Sequence, residues 1–408
     1  MAGPHDSFNK LIPANPEAEL LLLCARLELD EAQAERVRNL AQSDLNWTSL
    51  FSLAQRHALI PLLFFQLNRV AAEQAPAEQL KQLRSRAQSN AALNVLLTGE
   101  MVRLLALFES NEIPALPYKG PAIGMGIYRN LALRQFADLD ILVPDKDVWK
   151  ATELLIEQGY SAHFVIPPKK QSAFIRLSYV RLFQHKTQPI TVELHWRLAP
   201  RFFGAPFDTS NLWRRSGRLE LQGSSVRIPP PEDLLLMLCI HGAKDCWQKL
   251  EWVCGLAELI RSETSLDWQR VLAHAKEIRA NRILSLGLLL AQLLVEAPVP
   301  DYVSRQLKTD QKLEALVAQI TTRMFDDALD PMSLAQRIGF HLGVKDSLIE
   351  KMRYCARLAL TTTPVDWEMM QLPDSASFVY LPLRVFRLLG KYGRPAGPST
   401  VRESINQV

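Results

Sequence analysis

The sequence predicts an α+β protein: a small mixed sheet with its own helices, flanked by all-helical regions on the N- and C-terminal sides. Three observations predict it. Runs with strand-like alternation are confined to the middle of the chain, around Phe136–Val143, Tyr179–Arg197 and Leu219–Ile228. The residues before and after them carry helical periodicity instead. A cluster, Pro229-Pro230-Pro231-Glu232-Asp233, closes the strand-bearing part. The expected organisation is a loose arm at 1–16, a helical module at 17–96, an α/β domain at 97–230 and a helical domain at 231–408.

Taken in order, Leu20, Leu23, Leu27 and Leu29 share an apolar helical face, and a second helix runs through Ala32–Leu40. Asn46-Trp47-Thr48 opens a helix reaching His57, which reads as a packing or capping residue. Helices follow at Ile60–Val70, Pro76–Val95 and Leu97–Ser110, the last with Met101, Leu104, Leu105 and Phe108 on one stripe. Ile113–Tyr118 is a first strand, and Pro114 and Pro117 confine it to an edge or a short irregular piece, because each removes a ladder donor. A helix from Lys146 to Gln158 is closed by Gly159. Residues 173–198 read as a hairpin, and Leu219–Leu221 with Val226–Ile228 as another. Helices are then expected at 232–242, 247–262, 266–279, 281–295, 300–324, 332–361 with a break, and 379–391.

The composition is 48% hydrophobic and 22% charged, ordinary for a globular chain. Net charge is +4, with Lys and Arg scattered, so there is no nucleic-acid tail and no polybasic membrane patch. The cysteines Cys24, Cys239, Cys246, Cys254 and Cys355 form no CxxC pair and are odd in number, which argues for free thiols over a disulfide framework. Cys239, His241, Cys246 and Cys254 fit no zinc-ligand spacing. There is no basic-then-apolar leader. The longest apolar run, Ile283–Val295, spans about 13 residues against the roughly 20 a membrane span needs. A cytoplasmic protein without a membrane span is the expectation.

Chemistry concentrates between Tyr118 and Val143. Asp138 and Asp140 share one face of a strand whose Leu139 and Ile141 point the other way. Glu193 and His195 share a face by the same parity in Thr191–Trp196. Carboxylates gathered on one face suit Mg2+, which takes oxygen ligands and completes its shell with water and phosphates. Gly120, between a strand and a helix, provides the tight turn that aims backbone N–H groups at anions. A phosphate cradle beside a metal site is the arrangement of phosphoryl transfer.

These residues resemble the DNA polymerase β-type nucleotidyltransferase superfamily, with its hG[GS] turn, Dh[DE]h strand and later third carboxylate. More narrowly, Lys119-Gly120, Arg134-x-x-x-Asp138-x-Asp140 and Glu193-Leu194-His195-Trp196 look like the group called uncharacterised nucleotidyltransferase family proteins. Asn46-Trp47 to His57, His241-Gly242-Ala243-Lys244 and Tyr380–Leu388 extend the likeness over nearly the whole chain. The resemblance implies Mg2+-dependent transfer of NMP from an NTP, with ATP as the expected donor, to an unidentified small-molecule, peptide, glycan or protein acceptor. Asp138, Asp140 and Glu193 would hold two Mg2+ ions. Lys119, Gly120, Arg134, His195 and Lys244 would meet the nucleotide or orient the ligands. Two positions depart from the pattern: Pro121 replaces the second small residue, and Gly255 stands where relatives tend to carry an acid. A catalytically silent NTP-binding or scaffold protein and a tRNA-modifying transferase stay open as alternatives. The lack of an aromatic-basic stripe speaks against nucleic acid.

Overall fold

A computed structural model describes residues 15–307, 310–326 and 331–360. The N-terminal helices start where the sequence supplies caps. The Asn15 side chain accepts from the Glu17 and Ala18 N–H groups to open α1 (Pro16–Cys24). An Asp30/Gln33 capping box opens α2 (Glu31–Gln42), and Asn46 caps α3 (Trp47–Arg56), followed by α4 (Ile60–Val70). His57 ends α3 and packs as expected. Its Nε2 lies 2.8 Å from the Met324 carbonyl and its Nδ1 accepts from the Leu250 N–H, which fixes the neutral tautomer.

The pair of helices expected on either side of residue 96 is one helix, α5 (Ala77–Ser110), of 34 residues. Nothing between them stops a helix, since the only breaker is Gly99 and an interior glycine costs only about 1 kcal/mol. The boundary placed at 96/97 therefore falls inside a continuous rod. By length and composition α5 is apolar enough to cross a membrane. Here its Leu97, Met101, Leu104 and Phe108 are buried against the sheet.

The sheet follows: β1 (Leu116–Pro117), β2 (Asp138–Leu142), β3 (Tyr160–Ala162), β4 (Val180–His185) and β5 (Thr191–His195), in spatial order β1-β2-β5-β4-β3. β1 is a two-residue edge strand, as its prolines require. β2 and β5 run parallel, and the other pairs are antiparallel. β3, three residues long, escaped the sequence reading because it is too short to show alternation. Between strands lie α6 (Pro121–Gly126), α7 (Val148–Glu157) and α8 (Gln171–Leu177), the last occupying the start of the expected hairpin at 173. After α9 (Ser210–Arg215), the hairpin β6 (Gly217–Leu221) and β7 (Ser224–Ile228) turns on Gln222 and Gly223, both at positive φ.

The helical region contains α10 (Pro231–Lys244), α11 (Leu250–Ser262), α12 (Trp268–Glu277) and α13 (Asn281–Val295). The helix expected at 300–324 is two, α14 (Asp301–Gln306) and α15 (Gln311–Phe325). The expected break after 332 separates α16 (Leu334–Gly343) from α17 (Leu348–Leu360). The helix at 379–391 and the Tyr380–Leu388 segment lie outside the described residues. Two glycines allow close packing around α10, Gly242 against the turn that follows it and Gly287 of α13 against its face. A Cβ on Gly242 would stand 2.6 Å from the Trp247 ring, and one on Gly287 would stand 2.7 Å from the Cys239 Sγ.

The sheet is covered on both faces. Leu139, Ile141, Val192, Leu194 and Phe183 pack with residues of α5 and α7 in one core. Tyr118 and Leu142 belong to a second core that runs continuously through the N- and C-terminal helices. The acidic face of β2 and β5 is thus directed into the body of the protein.

Candidate active site

The site begins at a turn. Gly120 has φ +53° and ψ −123°, and the Ala122 N–H closes back on the Lys119 carbonyl at 3.1 Å. These are the features of a type II′ turn, which asks for glycine at its first central position. Space is not the reason, since a Cβ there would meet its nearest atom at 3.6 Å. Pro121 sits at the second central position and at the start of α6, where its missing N–H would have had no helical partner. The departure from the hG[GS] pattern is therefore compatible with the turn.

The next component is the strand register. Asp140 pairs with Glu193 across the parallel β2–β5 ladder, and Leu142 with His195. Adjacent parallel strands lie about 4.8 Å apart, so in-register side chains on one face begin as neighbours. Ligand atoms of Asp140, Glu193 and His195 all lie within 4.8 Å of one another. Asp138 occupies the same face of β2 outside this group. Two residues of strand advance the chain by about 7 Å, which separates it from Asp140. It is half-buried, whereas Asp140 is sealed.

Charges are paired tightly. Lys119 Nζ stands 2.6 Å from Asp140 Oδ1, and His195 Nε2 stands 3.1 Å from both Asp140 Oδ1 and Glu193 Oε2. Both partners of that nitrogen are carboxylate oxygens, so Nε2 carries a proton and donates to each. Burial works against charge on Asp140, but Lys119 and His195 override it and hold the carboxyl well below its ordinary range. Burial works against His195 too, yet the same two acids raise its pKa. Asp138 moves the opposite way, pushed up to about 6 by burial and by the Asp140 charge. Two acids on one strand are thus driven apart, one held ionised and one near neutrality.

The end of α10 adds a second group of paired charges. Lys244 Nζ lies 2.8 Å from Asp245 Oδ2 and 5.4 Å from the centre of the Tyr179 ring. His241 Nδ1 lies 3.3 Å from Asp245 Oδ2. Burial, with the nearby Lys119 charge, keeps the His241 pKa well below its ordinary value. The Lys119 charge also bears on Lys244. His341 braces this end of α10. Its Nε2 is 2.9 Å from the Lys244 carbonyl and its Nδ1 is 3.0 Å from the Tyr354 hydroxyl.

Arg134 is placed differently from the other expected residues. Its Nε and Nη2 both reach Glu251 Oε1 at 2.6 Å, and its Nη1 lies 3.2 Å from the Gly120 carbonyl. It lies beneath the turn, committed to an acid of α11, rather than in the carboxylate group. Glu251 escaped the sequence reading, which weighed Gly255 on the same helix. The two are one turn apart and share a face, so helical spacing was the signal that pointed to Glu251. Asp245, immediately after Lys244, was also missed.

The donor set fits magnesium, because Asp138, Asp140 and Glu193 offer hard carboxylate oxygens on one face. Among the described residues, the group of His, Cys, Asp and Glu placed to hold a metal is the one containing Asp140, Glu193 and His195. Cys24, Cys239, Cys246 and Cys254 are buried free thiols, and Cys355 is exposed.

Comparison with curated proteins returned no match. The profile of a family described as uncharacterised nucleotidyltransferase matches residues 43–296, which takes in the glycine turn, both acidic strands and α10 to α13. With that match over more than half its length, and with the sheet and acidic strands in place, the chain belongs to the uncharacterised nucleotidyltransferase family.

Proposed function

We propose that this protein transfers NMP from an NTP, with ATP as donor, to a small-molecule, peptide, glycan or protein acceptor and releases pyrophosphate. The carrying observation is the in-register pair Asp140 and Glu193 on adjacent parallel strands, next to the II′ turn at Gly120. Two Mg2+ ions held by Asp138, Asp140 and Glu193 would supply charge neutralisation at the entering and leaving oxygens.

The chain's own residues divide the remaining work. Lys119, beside Asp140, and Lys244, at the end of α10, bring the positive charge that a triphosphate needs. The Gly120 turn lets backbone come close to phosphate without a side chain intervening. His195 fixes the Asp140 and Glu193 carboxylates in one plane of contact through a shared N–H. Glu193, more open than Asp140 at 19% against 2% side-chain exposure, faces the approaching hydroxyl and helps take its proton. Tyr179 and His241 flank the Lys244–Asp245 pair and hold it in place.

The test is Mg2+-dependent pyrophosphate release from each of the four NTPs in the presence of fractionated cell extract as acceptor source. Release by the wild-type protein that disappears in Glu193→Gln supports the reading. Release that is equal in both proteins contradicts it.

A further inference from the structure

The glycine turn is held from beneath by a buried ion pair reaching across the molecule. Arg134 and Glu251 are 7% and 5% exposed, and 117 residues separate them in sequence. The guanidinium spends two N–H groups on Glu251 and directs a third at the Gly120 carbonyl. The same carbonyl accepts the Gly124 N–H at 3.1 Å, the first link of α6. The Arg134 main chain is fixed as well. The Asn94 side chain donates to the carbonyls of Arg134 and Leu131, both at 2.6 Å, and Asn90 donates to the Arg134 carbonyl at 3.0 Å. Helices α5 and α11 therefore both grip the residue that sets the Gly120 peptide.

A buried ion pair is a poor device for stability alone, since well-packed apolar groups of similar volume often do as well or better. What it supplies here is direction. Gly120 is free to leave its positive-φ conformation, because glycine populates either sign of φ about equally. A carbonyl held by a guanidinium cannot turn without breaking a buried charge-assisted hydrogen bond. Pro121 contributes no N–H, so the hold on a triphosphate falls on Lys119 and the Gly120 peptide, and their placement matters more.

We propose that Arg134 and Glu251 are positioning residues that lock the Gly120 turn in its nucleotide-receiving conformation. The helical region thereby takes part in nucleotide binding without touching the nucleotide. This rests on the nucleotide reading of the site. It assigns Arg134 a place behind the turn instead of on a phosphate.

The experiment compares wild type with Arg134→Met, Glu251→Met and the double variant Arg134→Met/Glu251→Met. The readouts are thermal stability and equilibrium binding of ATP, GTP, CTP and UTP with Mg2+ by calorimetry. Each single variant strands a buried charge and is expected to lose both stability and affinity. The double variant is expected to recover a Tm within about 3 °C of wild type. Its affinity for the best-bound nucleotide should remain at least about ten-fold weaker, or about 1.4 kcal/mol. A double variant that recovers both Tm and affinity overturns the inference and leaves a purely structural pair. Wild-type protein that binds none of the four nucleotides overturns the nucleotide reading itself, and this inference with it.

Discussion

At the residue scale, the account rests on groups whose surroundings decide their charge. Asp140 and Lys119 have side chains 2% and 12% exposed, so neither can lose its partner cheaply. Asp140→Asn is expected to cost about 3–5 kcal/mol of stability, because it leaves a buried ammonium uncompensated. Urea unfolding should show that loss, and Asp140→Asn/Lys119→Met should recover most of it. This is why Glu193→Gln, partly exposed and isosteric, is the cleaner probe of chemistry. Gly120→Ala should cost about 1–3 kcal/mol, because φ +53° with ψ −123° is a conformation left almost entirely to glycine, read by the same unfolding curves. His341 makes a pH prediction. Burial depresses its pKa to about 4, and the lysine and arginine charges nearby help, although the Lys244 carbonyl opposes them. Between pH 6.5 and 4 the unfolded chain then binds a proton that the folded one refuses, so stability falls as pH falls through that window. The contribution is roughly 3 kcal/mol. Between pH 6.5 and 4 wild type should lose about 3 kcal/mol more stability than His341→Gln, a slope steeper by up to about 1.4 kcal/mol per pH unit. Equal slopes would show that His341 is not held neutral.

At the scale of elements, what sequence could and could not show follows from which interactions are local. Strand parity placed Asp138 with Asp140 and Glu193 with His195, because alternation is a property of each strand by itself. The parallel pairing that sets Asp140 opposite Glu193 joins segments more than fifty residues apart, and no local pattern encodes it. The same reason hid Arg134's partner, since an arginine reads as a phosphate contact until a distant acid is seen to meet it. The caps at Asn15 and Asp30 were seen only in the structure, whereas the cap at Asn46 was readable because its side chain bonds its own neighbour. The continuity of α5 was not, because a single Gly99 weakens a helix without ending it. Helix packing makes a further prediction. Ala favours a helix over Gly by about 1 kcal/mol, yet Gly287→Ala should destabilise by about 1–3 kcal/mol, because the methyl meets the Cys239 sulfur at 2.7 Å. A more stable Gly287→Ala would mean that α10 and α13 yield easily.

At the scale of the whole molecule, the sheet that carries the acidic residues meets the end of α10 where Lys244 Nζ lies 5.4 Å from the centre of the Tyr179 ring. The core beside this contact is shared by the first helices and the last described ones. That sharing explains why His57 of the N-terminal helices caps nothing functional and instead joins the ends of α3, α11 and α15 through Leu250 and Met324. It also ties the end of α10 at Lys244 to α16 and α17 through His341 and Tyr354. The central claim is nucleotidyl transfer at the face shared by Asp138, Asp140 and Glu193. The most direct measurement follows label from [α-32P]ATP and [γ-32P]ATP, each with Mg2+ and cell extract, into acceptor. The account predicts that α-label is transferred by wild type and not by Glu193→Gln, while γ-label leaves as pyrophosphate. Transfer of γ-label to acceptor, or α-label transfer that survives Glu193→Gln unchanged, would contradict it.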